Sequence, residues 1–395
     1  MALPLADIRV VETSQVLAGP YAAMFLADQG AEVIKLESPE GDSARRLSPN
    51  YPDSPGLSLG FLTFNRNKRS VVLDITKPQG LEAAYKLYRW ADVLITNVRV
   101  GARQRRGLSY EQLKKINPRL IYASLTAWGE KGPDADLPGA DIATQPRVGD
   151  LIARVPPGTP FPASTHFYHF DMAAAMLIAY SVMVALRQRE QTGQGQNIEI
   201  SLLQTALACQ AIQMTRRVGS DLSYPVLSPG MVPNYLCGDG RYLYITIFGA
   251  RWDLCCRAIG LEHLSKDERF DTPEKRNERT DELYKILSDH FTTRPAAEWE
   301  ARLKGVGLAA TVIKEINEVF DDPQVLANNM IIQFEQPGMG TIKAVNVPFK
   351  MSANSEDPLM RRHPPTLGEH TYEVLTELGY SPEDIQSMAE AEVLG

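Results

Sequence analysis

Ile8-Arg-Val-Val-Glu12, Ala18-Gly-Pro20, Tyr21-Ala-Ala-Met-Phe-Leu-Ala-Asp-Gln29, Gly30 and Ala31-Glu-Val-Ile-Lys-Leu-Glu37 form the stretch from which the fold is read. The first segment is short and rich in β-branched residues, as a strand is. Ala18-Gly19-Pro20 makes a turn, and Pro20 suits the first position of a helix, where its missing N–H costs nothing. The helix covers 21–29, Gly30 ends it, and 31–37 is the next strand. Strand, helix and strand within about 30 residues is the size of a parallel crossover.

The pattern continues downstream. Residues 70–74 read as a strand, 80–90 as an amphipathic helix, 92–96 as a strand, 110–116 as a short helix and 120–125 as a strand. Such alternation predicts a doubly wound parallel α/β sheet. Ligands of these sheets bind beyond the carboxyl ends of the strands, so the chemistry should gather after Glu12, Glu37, Thr96 and Leu125. None of those loops carries a dinucleotide fingerprint. Gly193-x-Gly195 lies between a helix and a strand, Gly338-x-Gly340 belongs to a turn, and no Gly-x4-Gly-Lys-Ser/Thr occurs; nicotinamide and ATP chemistry are disfavoured. After about residue 215 the texture changes. A loop-like stretch at 221–237 leads to a strand at 240–247 and helices at 252–259, 276–291 and 296–306, a second, α+β domain. Strands around 342–349 follow, then helices at 372–378 and 381–391.

Composition sets the class. The 395 residues are 44% hydrophobic and 23% charged, with a net charge of -7. No basic stripe dominates, so nucleic acid is not an expected partner. Cys209, Cys237, Cys255 and Cys256 show no metal-ligand spacing, and no metal is expected. Their usage, with an N-terminus lacking a basic and then apolar leader, predicts a cytoplasmic protein. The apolar run 172–186 is shorter than the ~20 residues a bilayer needs and reads as a buried core helix, with no membrane partner.

Just before that run stand Ser164, Thr165, His166, Phe167, Tyr168, His169 and Phe170, then Asp171. Read locally, Asp171 is the helix N-cap, its oxygens accepting from the free backbone N–H groups. Those groups and the helix dipole would keep it ionised, and an ionised carboxylate beside apolar surface is also a usable nucleophile. The neighbouring aromatics read as plain core.

Several segments, in order and over nearly the whole chain, resemble the class III CoA-transferase family, which also includes the α-methylacyl-CoA racemases. They are residues 18–37, Asn65-Arg-Asn-Lys-Arg-Ser70 with Leu73-Asp74, Pro138-Gly-Ala-Asp141, Asp171-Met-Ala-Ala-Ala, Arg189-x-x-Thr192-Gly-Gln-Gly-Gln196, Asp322-Pro-Gln-Val325, Val347-Pro-Phe-Lys350 and Pro365-Thr-Leu-Gly-Glu-His370. The resemblance implies a Rossmann-like large domain with a parallel sheet, built from 1–215 and a return segment 326–395. It implies a smaller α+β domain at 225–325 and an interlocked homodimer. The substrates would be an acyl-CoA and a carboxylic acid, with coenzyme A as cosubstrate and no tightly bound cofactor.

The resemblance makes Asp171 the nucleophile, passing CoA through covalent aspartyl intermediates. It carries CoA contacts onto Val16, Leu73, Asn97, Arg105 and Arg106, whose guanidinium groups suit phosphate. Where some members have a basic residue this chain has Ser38, and Arg45 or Arg46 is the expected substitute. Gln15, Asp141 and Gly249 are expected neighbours of the site, Asp141 tuning the nucleophile or capping a helix. Arg147, Tyr51, Gln15 and the 166–169 group are open candidates for a substrate carboxylate. Racemases need a histidine directly before the aspartate of the Pro-Gly-x-Asp segment. Here that residue is Ala140, so racemisation is the weaker alternative, beside a non-catalytic CoA-binding subunit.

Overall fold

The computed structural model describes residues 3–47, 49, 56–153, 167–219, 234–246, 251–354 and 360–394. The chain divides into two compact units, Met1–Tyr224 with Asn329–Gly395, and Pro225–Asn328.

The first unit is an α/β fold around one six-stranded sheet. Its strands are β1 (Arg9–Glu12), β2 (Glu32–Glu37), β3 (Lys68–Val72), β4 (Val93–Thr96), β5 (Ile121–Thr126) and β6 (Gln196–Ser201), in the order β3-β2-β1-β4-β5-β6. All five pairings are parallel. The order reverses between β1 and β4, and a crevice opens at such a switch point.

Side chains alternate across the sheet as the two-residue period demands. Val10, Val33, Val93, Ile95, Ile121 and Ala123 join one core with helix α1 (Ala18–Asp28). Val11, Ile34, Leu94 and Tyr122 join another with helix α2 (Pro78–Trp90). That second core is completed by Val374, Leu375, Ile385 and Met388 from the two C-terminal helices, Thr371–Glu377 and Pro382–Glu390, and by Val393 just after them. Strands β1, β2, β4 and β5 begin within one residue of the sequence reading, whereas β3 and α2 begin two residues earlier and α1 begins at Ala18, so Pro20 lies inside its first turn. A Cβ at Gly19 would overlap the Ser14 side chain, so glycine lets the helix start close over the loop before it.

The helix read at 172–186 runs from His169 to Thr192, and Gly193 ends it in the left-handed conformation at φ 71°. By length and composition it could cross a bilayer. This helix, α4, follows the short helix α3 (Asp141–Arg147). Only one face is core: Phe170, Ala174, Ala175, Ile178, Val182 and Ala185 are buried. Met176, Leu177, Tyr180, Met183 and Val184 are exposed, Tyr180 by 68%. The expectation of a wholly buried helix is therefore corrected.

In the second unit β7 (Asn234–Leu236), β8 (Tyr242–Thr246) and β9 (Ala309–Val312) form an antiparallel sheet. It packs on helices Trp252–Ile259, Thr280–Phe291 and Ala296–Gly305 through Leu243, Cys255, Leu287, Phe291 and Trp299. The helix read as 276–291 is two, Pro273–Glu278 and Thr280–Phe291, the second starting after Arg279 leaves helical geometry.

Candidate active site

Two pockets lie at the carboxyl ends of β1, β4 and β5. One, of about 220 Å3, is lined by Gln15, Val16, Leu17, Asn97, Arg99, Thr126, Ala140 and Asp171 among others. The other, of about 490 Å3, is lined by Ser14, Gln15, Glu37, Ser38, Asp42, Leu73, Asp74, Arg103 and Arg106 among others. Gln15 borders both. The loops after β1, β2, β4 and β5 all contribute, because the parallel sheet delivers all of those strand ends to one edge.

The floor under the loop after β1 is a buried charge network. On the α1 face, β1–β3 carry Glu12, Lys35, Glu37, Lys68 and Ser70 in register, Glu12 opposite Lys35 and Lys35 opposite Ser70. The Glu12 carboxylate accepts from Lys35 Nζ at 3.2 Å, from Lys68 Nζ at 3.2 Å and from Ser14 Oγ at 2.5 Å. Lys35 also pairs with Asp42 at 2.8 Å. Burial alone would raise the Asp42 pKa, but Lys35 and the amides of Ala44 and Val16 hold it below the ordinary carboxyl value. A buried pair of this kind tolerates loss of one partner poorly, because the other charge is stranded.

Asp171 lies in the first turn of α4 and is not its cap; Tyr168 holds that position without a side-chain bond. The cap comes from α3. Asp141 is fully buried, and its Oδ2 accepts from the backbone N–H of Phe170 at 2.7 Å and of Asp171 at 2.9 Å. Its Oδ1 accepts from Gln145, which also donates to the Phe167 carbonyl at 2.8 Å. Asp141 thus satisfies two of the free amides of a helix that begins nearly thirty residues later in the chain, and holds the backbone that carries Asp171.

The Asp171 carboxylate is half-buried in the pocket wall. Among the described residues none donates a hydrogen bond to it. Burial, and then the negative charge of Asp141, raise its pKa from an ordinary carboxyl value to about 7. The expectation of a carboxylate held firmly ionised by the helix end is corrected: Asp141 already occupies those amides.

The shift has a consequence for stability. The folded state holds the Asp171 proton more tightly than the unfolded chain does. Its stabilising share is full below about pH 4 and is lost as pH rises through about 7. Asp171→Asn should therefore raise stability above pH 7, by roughly 2–3 kcal/mol after allowance for partial exposure, and do little at pH 4. Thermal melts at pH 8 and pH 4 check this; equal melting shifts at both would contradict it.

The other expected residues separate. Val16, Gln15 and Asn97 line the smaller pocket; Leu73 and Arg106 line the larger. The Asn97 side chain is engaged with backbone, Oδ1 accepting from Gln15 N at 3.1 Å and Nδ2 donating to Gln15 O at 2.9 Å. Arg105 is exposed and lines neither pocket. Arg45 is the clear correction. It is 2% exposed, donates to both oxygens of Glu37 at 2.7 and 2.8 Å and to the Pro365 carbonyl at 3.1 Å, and covers the Phe61 ring. A guanidinium so committed cannot turn to a phosphate. Arg147 is likewise engaged, with Asp134 at 2.7 Å and the Trp128 ring. Phe167 and Tyr168 are exposed rather than core, while Phe170 is buried. Gly249, Tyr51 and His166 lie outside the described residues.

Sequence reading missed Asp42, Ser14 and the Glu12–Lys35–Lys68 network. A signal was present: charged residues at three strand positions that point into a core, where apolar ones belong. Arg99, in the loop after β4, lines the smaller pocket with Asp171.

The chain is similar to known proteins along nearly its whole length. The profile of CoA-transferase family III matches residues 5–371. The (R)-2-hydroxy-4-methylpentanoate CoA-transferase of Clostridioides difficile is 30% identical, with 99% of each chain covered. The succinate–glutarate CoA-transferase of Agrobacterium fabrum is 33% identical over 95% of this chain and 96% of its own. A crystal structure of a CAIB/BAIF family protein from Brucella suis superposes with a TM-score of 0.84 at 31% identity, covering 96% of this chain and all of that one. A match that runs through both units and keeps the whole sheet leaves one assignment: the chain belongs to CoA-transferase family III, and is an enzyme that moves coenzyme A from an acyl-CoA thioester to a free carboxylic acid.

Proposed function

We propose that Asp171 is the nucleophile of this transfer. One Asp171 oxygen attacks the acyl carbonyl of the donor thioester; the C–S bond breaks, giving a mixed anhydride and CoA thiolate. The thiolate attacks the aspartyl carbonyl and releases the donor acid, leaving an aspartyl-CoA thioester. The incoming carboxylate attacks that thioester and frees the thiolate again. The thiolate then attacks the acyl carbonyl of the new anhydride, releasing the product acyl-CoA and the Asp171 carboxylate. The covalent steps keep the thioester's free energy from being lost to water. The observation that carries this reading is the Asp171 carboxylate itself: half-buried in a pocket at the sheet's switch point, with no hydrogen-bond donor among the described residues.

CoA would lie across both pockets, its phosphates toward Arg106 and its pantetheine arm passing Leu73, Gln15 and Val16 toward Asp171. Arg105 would meet phosphate only at the rim. The exposed apolar face of α4, from Met176 to Val184, supports an interlocked homodimer, since a second copy would remove that face from water. The four cysteines are free, which suits a cytoplasmic enzyme.

Proton abstraction is the rival chemistry, and two features weigh against it. Ala140 lines the pocket where a base would be needed, and the Asp141 carboxylate is already occupied by two amides and Gln145. The test is trapping. With an acyl-CoA and hydroxylamine, the purified enzyme should lose activity and carry a hydroxamate on the peptide containing Asp171, read by mass spectrometry. Turnover in hydroxylamine with that peptide unmodified would refute the covalent route.

A further inference from the structure

We infer that Asp42, held in place by Lys35, is a positioning residue for CoA transfer: its carboxylate keeps Val16 in the left-handed backbone conformation that shapes the wall of the Asp171 pocket. This rests on the reading of that pocket as the reaction site.

Val16 has φ 72°. A β-branched residue avoids that region, and residues held there gather at functional sites whose surroundings over-determine them. The surroundings here are two clamps. The side-chain amide of Asn97 takes both the N–H and the C=O of Gln15. Asp42 Oδ1 accepts from the Val16 N–H at 3.0 Å. The Val16 side chain is left 40% exposed, in the wall of the pocket that contains Asp171.

Asp42 is itself fixed from below. Its Oδ1 also accepts from Ala44 N at 2.8 Å, its own N–H donates to Glu37 at 2.9 Å, and its Oδ2 meets Lys35 Nζ at 2.8 Å. Lys35 is anchored in turn on Glu12 and on the Ser14 carbonyl, 2.9 Å away. The result is a run of charges from the sheet floor to the pocket wall, with none of them exposed. Asp42 also caps the short helical turn Ser43–Arg46 through Ala44. That role needs no bond to Val16, twenty-six residues earlier.

The chemistry of the site makes the test sharp. One Asp42 oxygen accepts from two amides and the other faces the Lys35 ammonium in an ion pair. An asparagine has a single acceptor, so one side then meets donor against donor. Asp42→Asn should therefore release Val16. We expect kcat/KM for acyl-CoA to fall about 30-fold, the equivalent of about 2 kcal/mol. In a Val16→Gly background the same change should cost less than about 3-fold, because glycine holds a positive φ unaided. The loss of melting temperature should be equal in both backgrounds. An equal fold-loss in both backgrounds, or no loss in either, overturns the inference. A measurement on the unaltered enzyme covers the case in which Asp42→Asn does not fold. The Val16 amide, although in a loop, should exchange with solvent as slowly as the amides of β1, and fast exchange overturns the clamp. Asp171→Ala separates the two levels. If that variant stays active, the reading of the pocket has failed. If it is dead while the Asp42 cycle is additive, only the positioning role has failed.

Discussion

Asp171→Ala is expected to lower CoA transfer by roughly 10^4-fold or more, as removal of a covalent nucleophile does, while the folded protein survives. The side chain has no hydrogen-bond donor among the described residues, so its loss strands nothing. The carboxylate is destabilised by burial and by Asp141, so its removal relieves the fold above pH 7. Activity and stability should move in opposite directions, as they do where a site stores an unfavourable group. A steady-state assay with acyl-CoA and acid, beside a melt at pH 8, reads both. A variant that is inactive because it is unfolded would contradict the expectation as firmly as one that is fully active.

Asp141→Ala carries the second large effect, and here both quantities should fall together. The change removes the acceptor for two amides at the start of α4, one of them fully buried. Loss of a cap and of buried hydrogen bonds should cost roughly 2–4 kcal/mol. Asp171 is then no longer aimed by its own N–H, and a displaced reacting group costs about 10^2-fold in rate. Asp141→Asn separates geometry from charge. It keeps one acceptor for the amides but removes the negative charge that helps raise Asp171. Transfer needs Asp171 ionised, so kcat/KM in the parent should fall as pH drops below about 7. In Asp141→Asn that acid limb should shift to lower pH. An unmoved limb, with Asp141→Ala still active, would reduce Asp141 to an ordinary core residue.

What the sequence made legible was whatever depends on near neighbours. The unit from β1 to β2 is readable because period-two apolar runs, Pro20 and Gly30 sit within one crossover. The loops that line the pockets are readable because a parallel sheet sends all its carboxyl ends the same way. The start of α4 was read three residues late, and its cap misassigned to Asp171, because the true cap is Asp141 on another helix. Arg45 looked like a free cation in a polar loop; its partner Glu37 is eight residues back, but the Pro365 carbonyl and Phe61 ring that enclose it come from remote segments. Asp42 was unreadable for the same reason. Its function depends on Lys35 below and Val16 above, and only the folded sheet brings the three together.

The core that the C-terminal helices complete has a consequence for how the protein is made. Leu87, Tyr88 and Val71 share that core with Val374, Leu375, Ile385 and Val393, so part of the first unit's core is missing until residues 371–393 have been synthesised. At about 5–20 residues per second, the 1–224 segment waits roughly 10–30 s for them. Through that interval α2 packs on its sheet face alone, and the apolar side chains that the C-terminal segment later meets stay open to solvent.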